Sequence, residues 1–428
     1  MRTAYINLWN KRVGAVSWDD ERKLGSFEFD PNFAKNGWDI SPIQMPIEQA
    51  GQIFTFEELG GSPTYKGLPG MLADVLPDRY GNTLINTWLA RNGREPDSMH
   101  PVEMLCFTGN RGMGALEFEP VSPKTTDKAT KIEISGLIEI AQDILNDRSS
   151  FHTSLSENEQ KALTDILKVG TSAGGARAKA LIAYNEKTGE VRSGQAEAPR
   201  GFEQWLIKFD GVHDTQFGES SGYGRVEMAY YLMAQACGIE MMECKLLEEN
   251  NRAHFMTKRF DRLGGKEKLH VQTWCAMDHK DFQQVGDFSY EQLFQTLRTL
   301  GLPYPRAEQL FKRMVLNLIS RNCDDHTKNF AFTMNKSGEW DLSPAYDVCH
   351  AYRPSSIWVS RQSLSINGKR EGINRNDLLA VANQMNIKKP NLLIDEIQHT
   401  VNNWSTYAQQ VGVSEQLHKA IQATLLKI

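Results

Sequence analysis

The chain has 428 residues, 40% of them hydrophobic and 9% aromatic, which is too long for one hydrophobic core and too apolar for a disordered chain. A formal net charge of −5 excludes a surface that holds nucleic acid by charge alone, so any DNA role needs a local basic patch or a partner. Six scattered cysteines without a C-x-x-C pair argue against a zinc knuckle or a disulfide framework, and without a signal-like start or a long apolar run the expected location is cytoplasmic, with no membrane partner.

In chain order, residues 4–18 read as two strands around an Asn10-Lys11-Arg12 turn, with Tyr5, Asn7 and Trp9 on one face, Ile6 and Leu8 on the other, and both faces partly covered. SFEFD (26–30) is a third strand. Residues 68–94 turn helical, grouping Leu72, Val75 and Leu76, then Leu84, Ile85 and Leu89. Residues 101–120 predict a helix, a glycine-rich turn at Gly109, Gly112 and Gly114, and the strand ALEFEP. The polar stretch 122–131 is the linker candidate, followed by a helix near 134–147, a glycine-rich turn at 170–175, and strands in AKALIAY and QWLIKFD. A helix over 225–237, a strand over 252–258, and helical periods from 286 onward complete the reading, with a β-like stretch at 330–342 inserted among the helices.

The strongest chemical signal is SRNCDDHTKNFAF (320–332). Leu310, Phe311, Met314, Val315, Leu318 and Ile319 form one helical face, so a buried helix delivers the chain here, with Asn322 as its expected end. Asp324 and Asn329 then make D-x-x-x-x-N, the catalytic-loop spacing of protein kinases, in which the aspartate takes the hydroxyl proton and the asparagine holds magnesium. Asp347 in LSPAYDV, eighteen residues after Asn329, follows a hairpin predicted around Asn335-Lys336-Ser337-Gly338. A hairpin returns the chain, so Asp347 is expected beside Asn329 as a second oxygen ligand for magnesium, although no Phe-Gly follows it. On spacing alone, the Asp-Asp-His cluster also fits a solvated cap.

Lys208 in QWLIKFD alternates with Trp205, Ile207 and Phe209. A lysine within an apolar strand calls for an anion such as a nucleotide phosphate; the other reading is an edge strand whose lysine faces water. The small residues of GTSAGGARAK (170–179) let backbone N–H groups approach phosphate, with Arg177 or Lys179 adding charge, but a simple mobile turn reads the same way. Glu227, on the following helix, is a candidate partner for Lys208 or a solvent-facing residue near a helix start.

Taken in order, NLWNKRVGAVSW, SFEFDP, LADVLPDRYGN, GMGALEFEP, SAGGARAK, WLIKFD, KRFDR (258–262), DDHTKNFAF and LSPAYD resemble the HipA family of serine/threonine kinases, toxins of bacterial toxin–antitoxin pairs. The resemblance implies an α+β kinase-like fold: a β-rich first module (1–122), a nucleotide-binding N-lobe region (123–255) and a mainly helical C-lobe (256–428). It implies Asp324 as catalytic base, with Asn329 and Asp347 on Mg2+. Gly174, Gly175, Ala176, Arg177, Ala178 and Lys179 would cover the ATP phosphates with Lys208. Lys258, Arg259 and Phe260 would line adenine largely through backbone groups, and His326, Thr327, Lys328, Asn329 and Tyr346 would complete the pocket. Ser172 lies where the family carries a serine that is autophosphorylated to switch the kinase off, with Thr171 adjoining, and the loop departs from the family's A-G-A-Q-E-K form. The implied partners are a HipB-like helix-turn-helix antitoxin, DNA only through that antitoxin, and a protein substrate such as an aminoacyl-tRNA synthetase. Two other readings remain open at this point: a nucleotide-binding pseudokinase acting as corepressor, and a metal-dependent phosphohydrolase using Asp324, Asp325, His326 and Asp347.

Overall fold

A computed structural model describes residues 2–35, 38–120, 137–138, 141–142, 177–194, 198–214, 218–219, 221–264 and 267–428. The linker candidate, most of the 134–147 segment and the glycine-rich turn at 170–175 lie outside them. The chain divides into two compact units, one comprising Met1–Ser221, Leu247–Val271 and Asn335–Gly338, the other Gly222–Leu246, Gln272–Met334 and Glu339–Ile428.

The first unit opens with an antiparallel sheet of β1 (Thr3–Leu8), β2 (Lys11–Asp19), β3 (Leu24–Phe29), β4 (Ile53–Phe54) and β5 (Leu116–Glu119), in the order β4-β3-β2-β1-β5. Leu8 pairs with Lys11, so the turn is Trp9-Asn10 and not the expected Asn10-Lys11-Arg12. Both turn residues have positive φ, 48° and 63°, as a two-residue hairpin with the right-handed twist of its strands requires. Ala4, Ile6 and Leu8 are buried, and on the other face Tyr5 is 47% exposed while Asn7 and Trp9 are half-buried, so the second face is partly covered, as expected. The expected helical stretch is two helices, Gly70–Ala73 and Arg79–Arg91, and a third spans Pro101–Thr108.

A second sheet contains β6 (Lys179–Asn185), β7 (Glu190–Ser193), β8 (Glu203–Lys208), β11 (Cys244–Glu249) and β12 (Arg252–Lys258), ordered β11-β12-β8-β6-β7; β9 (His213–Asp214) and β10 (Gly218–Glu219) form a small separate ribbon. Trp205 and Ile207 of β8 join Ala180, Ile182 and Met256 in a buried cluster that also takes in Tyr80 and Leu84 of the helix Arg79–Arg91. The N-terminal module and the second sheet therefore share one core.

In the second unit the predicted helices are present: Tyr223–Ala236, Tyr290–Thr299, Tyr304–Ile319, Arg375–Gln384, Pro390–Asn402, Trp404–Gln410 and Glu415–Gln422. Ser289 and Gln292 close a capping box at the start of Tyr290–Thr299, the reciprocal bonding that satisfies orphan N–H groups at a helix start. The β-like stretch is the expected hairpin, Ala331–Met334 against Trp340–Leu342, with Phe332 opposite Leu342 and a turn closed by Gly338 N–H on the Asn335 carbonyl.

Candidate active site

The helix Tyr304–Ile319 buries Leu310, Phe311, Met314, Val315, Leu318 and Ile319, the face read from its period. It ends three residues before Asn322, the expected end. Arg321 takes φ +60°, its N–H bonds the Leu318 carbonyl at 3.3 Å, and the Asn322 N–H bonds the Asn317 carbonyl at 2.9 Å. This pair of bonds around a left-handed residue is the Schellman stop, here built on arginine in place of the usual glycine. The Arg321 guanidinium lies 3.6 Å over the Tyr352 ring, a contact that offsets the backbone cost. The stop turns the chain sharply and aims residues 322–329 away from the helix axis.

On that loop Asp324 keeps an accessible carboxylate, its side chain 46% exposed, with His326 Nε2 at 3.8 Å. Asn329 donates from Nδ2 to the Asp324 carbonyl at 2.6 Å, tying the two ends of D-x-x-x-x-N together. The Asn329 amide oxygen is then the atom it would offer a cation. Tyr346 donates to the Lys328 carbonyl at 2.7 Å, which draws the returning strand of the hairpin onto the loop. Asp347 follows with φ +55°, and Asn329, Tyr346 and Asp347 line one recess together with Arg313, Asn317 and Asp325. A non-glycine residue in the left-handed region is held there by its surroundings, and such positions gather at functional sites. Thr327 is buried and donates to the Lys280 carbonyl at 2.6 Å, while the His326 ring lies 5.2 Å from that of Phe282.

Asp325 behaves as the opposite of its neighbour. It is 1% exposed and accepts from Tyr290 at 2.8 Å, from Gln362 Nε2 at 3.0 Å and from the Ser363 N–H at 2.7 Å. Burial pushes its carboxyl up to about 6, against the lowering effect of those bonds. With both oxygens engaged by those donors, Asp325 is an internal anchor rather than the metal ligand a phosphohydrolase centre would need. Among the described residues no group of three or more His, Cys, Asp or Glu side chains is placed to hold a metal. Sequence reasoning missed Tyr290, Gln362 and Ser363, which sit 32 or more positions from the loop 322–329; Tyr290 carries only the period of its own helix, and Gln362 and Ser363 carry no motif.

In the first unit, Lys208 lies on a central strand, paired through β8 with β6 on one side and β12 on the other. The edge-strand alternative is thereby removed. Lys179 is its cross-strand neighbour on β6, directly opposite in the ladder, and is 4% exposed. Opposed residues of an antiparallel pair point to the same face, so two cations are presented side by side, an arrangement that favours an anion nearby. Arg177 and Ala178 lead into this strand; Gly174, Gly175, Ala176 and the hydroxyl residues Thr171 and Ser172 lie outside the described residues.

KRFDR shows a second use for its charges. Lys258 pairs with Glu203. Arg259 is buried and reaches both carboxylate oxygens of Asp261, at 2.9 and 2.7 Å, and its N–H is used by the Gln204 carbonyl. Asp261, itself fully buried, also accepts from Arg262 and from the Gly114 N–H at 2.7 Å, and Arg262 donates to the carbonyls of Gly112 and Gly114. The flanking guanidiniums hold the Asp261 carboxyl well below the ordinary carboxylate range in spite of burial. KRFDR thus grips the glycine-rich turn of the N-terminal module. Gly114 has φ +77° and lies against Val271, where a Cβ would sit 3.1 Å from the Val271 nitrogen, so the turn has no room for a side chain. Any part of Arg259 beside adenine falls to backbone other than its N–H, and Phe260 follows it on the same segment.

Two family models match the chain: a HipA N-terminal domain over residues 4–119 and a HipA-like C-terminal domain over residues 171–411. No curated protein matches it significantly. Among solved structures, the Shewanella oneidensis MR-1 HipA, determined with HipB and operator DNA, shares 17% identity over 98% of this chain and 94% of its own, with a TM-score of 0.67. The Helicobacter pylori proinflammatory kinase CtkA shares 13% identity over 59% of this chain and 92% of its own, with a TM-score of 0.34. The C-terminal model spans more than half of the chain, and the α+β fold matches that of a solved HipA: this chain belongs to the HipA family.

Proposed function

We propose that the chain is an ATP-dependent serine/threonine protein kinase that works with magnesium and serves as the toxin of a pair with a helix-turn-helix antitoxin. The arrangement around Asp324 carries this reading: an accessible carboxylate on a loop whose far end, Asn329, lines the same recess as Asp347. Asp324 is the group to accept the proton of an attacking hydroxyl. Asn329 and Asp347 suit magnesium, which takes few protein oxygens and leaves its other positions to phosphate and water. When bound, the ion would neutralise charge on the ATP phosphates. Lys179 and Lys208 are the cations for phosphate oxygens. Phosphoryl transfer asks for positioning and charge stabilisation more than for covalent chemistry, and these residues offer both.

The test compares 32P transfer from ATP into protein by the wild type and Asp324→Asn. The variant is expected to lose on the order of 100-fold or more in rate while binding ATP with native affinity. Native-rate transfer by Asp324→Asn, or release of inorganic phosphate without a protein acceptor, would overturn the assignment. A translation component such as an aminoacyl-tRNA synthetase is the proposed substrate, read out by phosphoproteomics of cells expressing each form. The proposed self-inactivation at Ser172 or Thr171 predicts phosphate on one of them in the active chain and on neither in Asp324→Asn.

A further inference from the structure

The residues on both sides of Asp324 are held by one distant segment, residues 351–363. The Cys323 N–H donates to the Ala351 carbonyl at 3.0 Å, and the Ala351 N–H donates to the Arg321 carbonyl at 3.1 Å. From the other end of the segment, Gln362 Nε2 donates to the Asn322 carbonyl at 3.2 Å and to Asp325 Oδ2 at 3.0 Å, while Gln362 Oε1 accepts from Cys323 Sγ at 3.0 Å. Ser363 Oγ donates to the Cys323 carbonyl at 3.0 Å, and the Ser363 N–H donates to Asp325 Oδ1 at 2.7 Å. Residues 321, 322, 323 and 325 are all tied to this segment, and Asp324 between them turns its carboxylate outward. Behind the loop the network continues through Tyr290, which donates to Asp325 and accepts from Asn317 Nδ2 at 3.1 Å; Asn317 Oδ1 in turn accepts from Asn322 Nδ2 at 3.0 Å. Gln362, Ser363, Asp325, Asn322, Asn317 and Tyr290 are each at most 5% exposed.

We infer that Gln362 and Ser363, acting through Asp325 and the backbone of residues 322 and 323, are positioning residues that set where the Asp324 carboxylate stands. The inference rests on the kinase reading above. A loop that bears a catalytic group holds its place only as well as the groups behind it, and a shift of about 1 Å at the reacting atoms costs on the order of 100-fold in rate. Gln362 is the centre of the brace because its one amide bonds three separate residues of the loop, 322, 323 and 325. Its removal loosens the base and leaves Lys179 and Lys208 untouched, since both stand on the β6 and β8 strands of the first unit.

The experiment measures 32P transfer to the proteins of a dephosphorylated host lysate over a range of ATP concentrations, beside calorimetric ATP binding and thermal unfolding. Gln362→Met, close in length and without hydrogen-bonding groups, is expected to lower the rate at saturating ATP by tenfold or more, with half-saturating ATP and ATP affinity within twofold of the wild type. Gln362→Glu keeps the acceptor toward Cys323 but sets a carboxylate against Asp325, so it is expected to fall at least as far. Ser363→Ala and Tyr290→Phe each delete one oxygen and are expected to lose a few-fold in the same parameter alone; they carry the test should Gln362→Met not fold. A folded Gln362→Met with the native rate overturns the brace, and so does a loss divided equally between rate and ATP affinity. A wild type that labels no more protein than Asp324→Asn overturns the kinase reading, and the brace falls with it.

Discussion

Asp324 and Asp325 are chain neighbours with opposite fates, and their difference is one of solvation. Asp324 keeps water, whereas Asp325 gives it up for three donors. Because burial raises the Asp325 carboxyl to about 6, the folded chain binds a proton between roughly pH 4 and 6 that the unfolded chain has released. Its ionised form therefore weighs against folding, least below about pH 4 and fully above about pH 6. The stability of the wild type relative to Asp325→Asn should fall by roughly 2–3 kcal/mol as pH rises through that window, measured by urea unfolding at the two ends. Asp261 has the opposite sign. With its carboxyl held low by Arg259 and Arg262, its contribution is complete above the ordinary carboxylate range and is lost as pH falls below it. Asp261→Asn leaves two buried guanidiniums short of their counter-charge and should cost about 3–5 kcal/mol near pH 7 by the same measurement.

At the scale of elements, β8 does two jobs with one alternation. Trp205 and Ile207 bury one face in the core shared with the helix Arg79–Arg91, and Lys208 stands on the other face opposite Lys179. The strand is central, so its backbone is committed on both sides and the lysine's place is set by the ladder rather than by a loop. Lys208→Met should lower ATP affinity by tenfold or more in calorimetry while the melting temperature stays within a few degrees. An unchanged affinity would remove Lys208 from the phosphate site. The helix Tyr304–Ile319 contributes in a different way: its Schellman stop on Arg321 sets the direction in which the loop leaves, and the hairpin that follows brings Tyr346 back onto Lys328.

For the molecule as a whole, charge bears on the proposed pairing with a DNA-binding antitoxin. The net charge of −5 disfavours direct contact with a polyanion, so operator DNA should bind only when the antitoxin is present. Fluorescence anisotropy of labelled operator DNA with the chain alone, with antitoxin alone and with both tests this; salt-sensitive binding by the chain alone at physiological ionic strength would contradict it. No helix among the described residues is long and apolar enough to cross a membrane. The joint core of the first unit and the grip of KRFDR on Gly112 and Gly114 make the N-terminal module part of the body that carries Lys179 and Lys208.

What the sequence determined by itself was whatever depends on short range. Period placed the helices and the buried face before the loop, turn chemistry placed the hairpin at Asn335–Gly338, and the spacing of Asp324, Asn329 and Asp347 marked the candidate site, because each rests on residues close together in the chain. Local signals also misplaced what neighbours decide: the first turn moved to Trp9-Asn10 through strand register, and the helix stopped at Ile319 through a left-handed arginine that no propensity favours. Only the tertiary structure separated Asp324 from Asp325, made β8 a central strand, and set the arginines of KRFDR against Asp261. Gln362 and Ser363 had no signal at all, since their meaning lies wholly in bonds to residues about 40 positions away. The reason is physical: desolvation and hydrogen bonding across a fold depend on what surrounds a side chain, and that is fixed by packing rather than by the residues beside it in the chain.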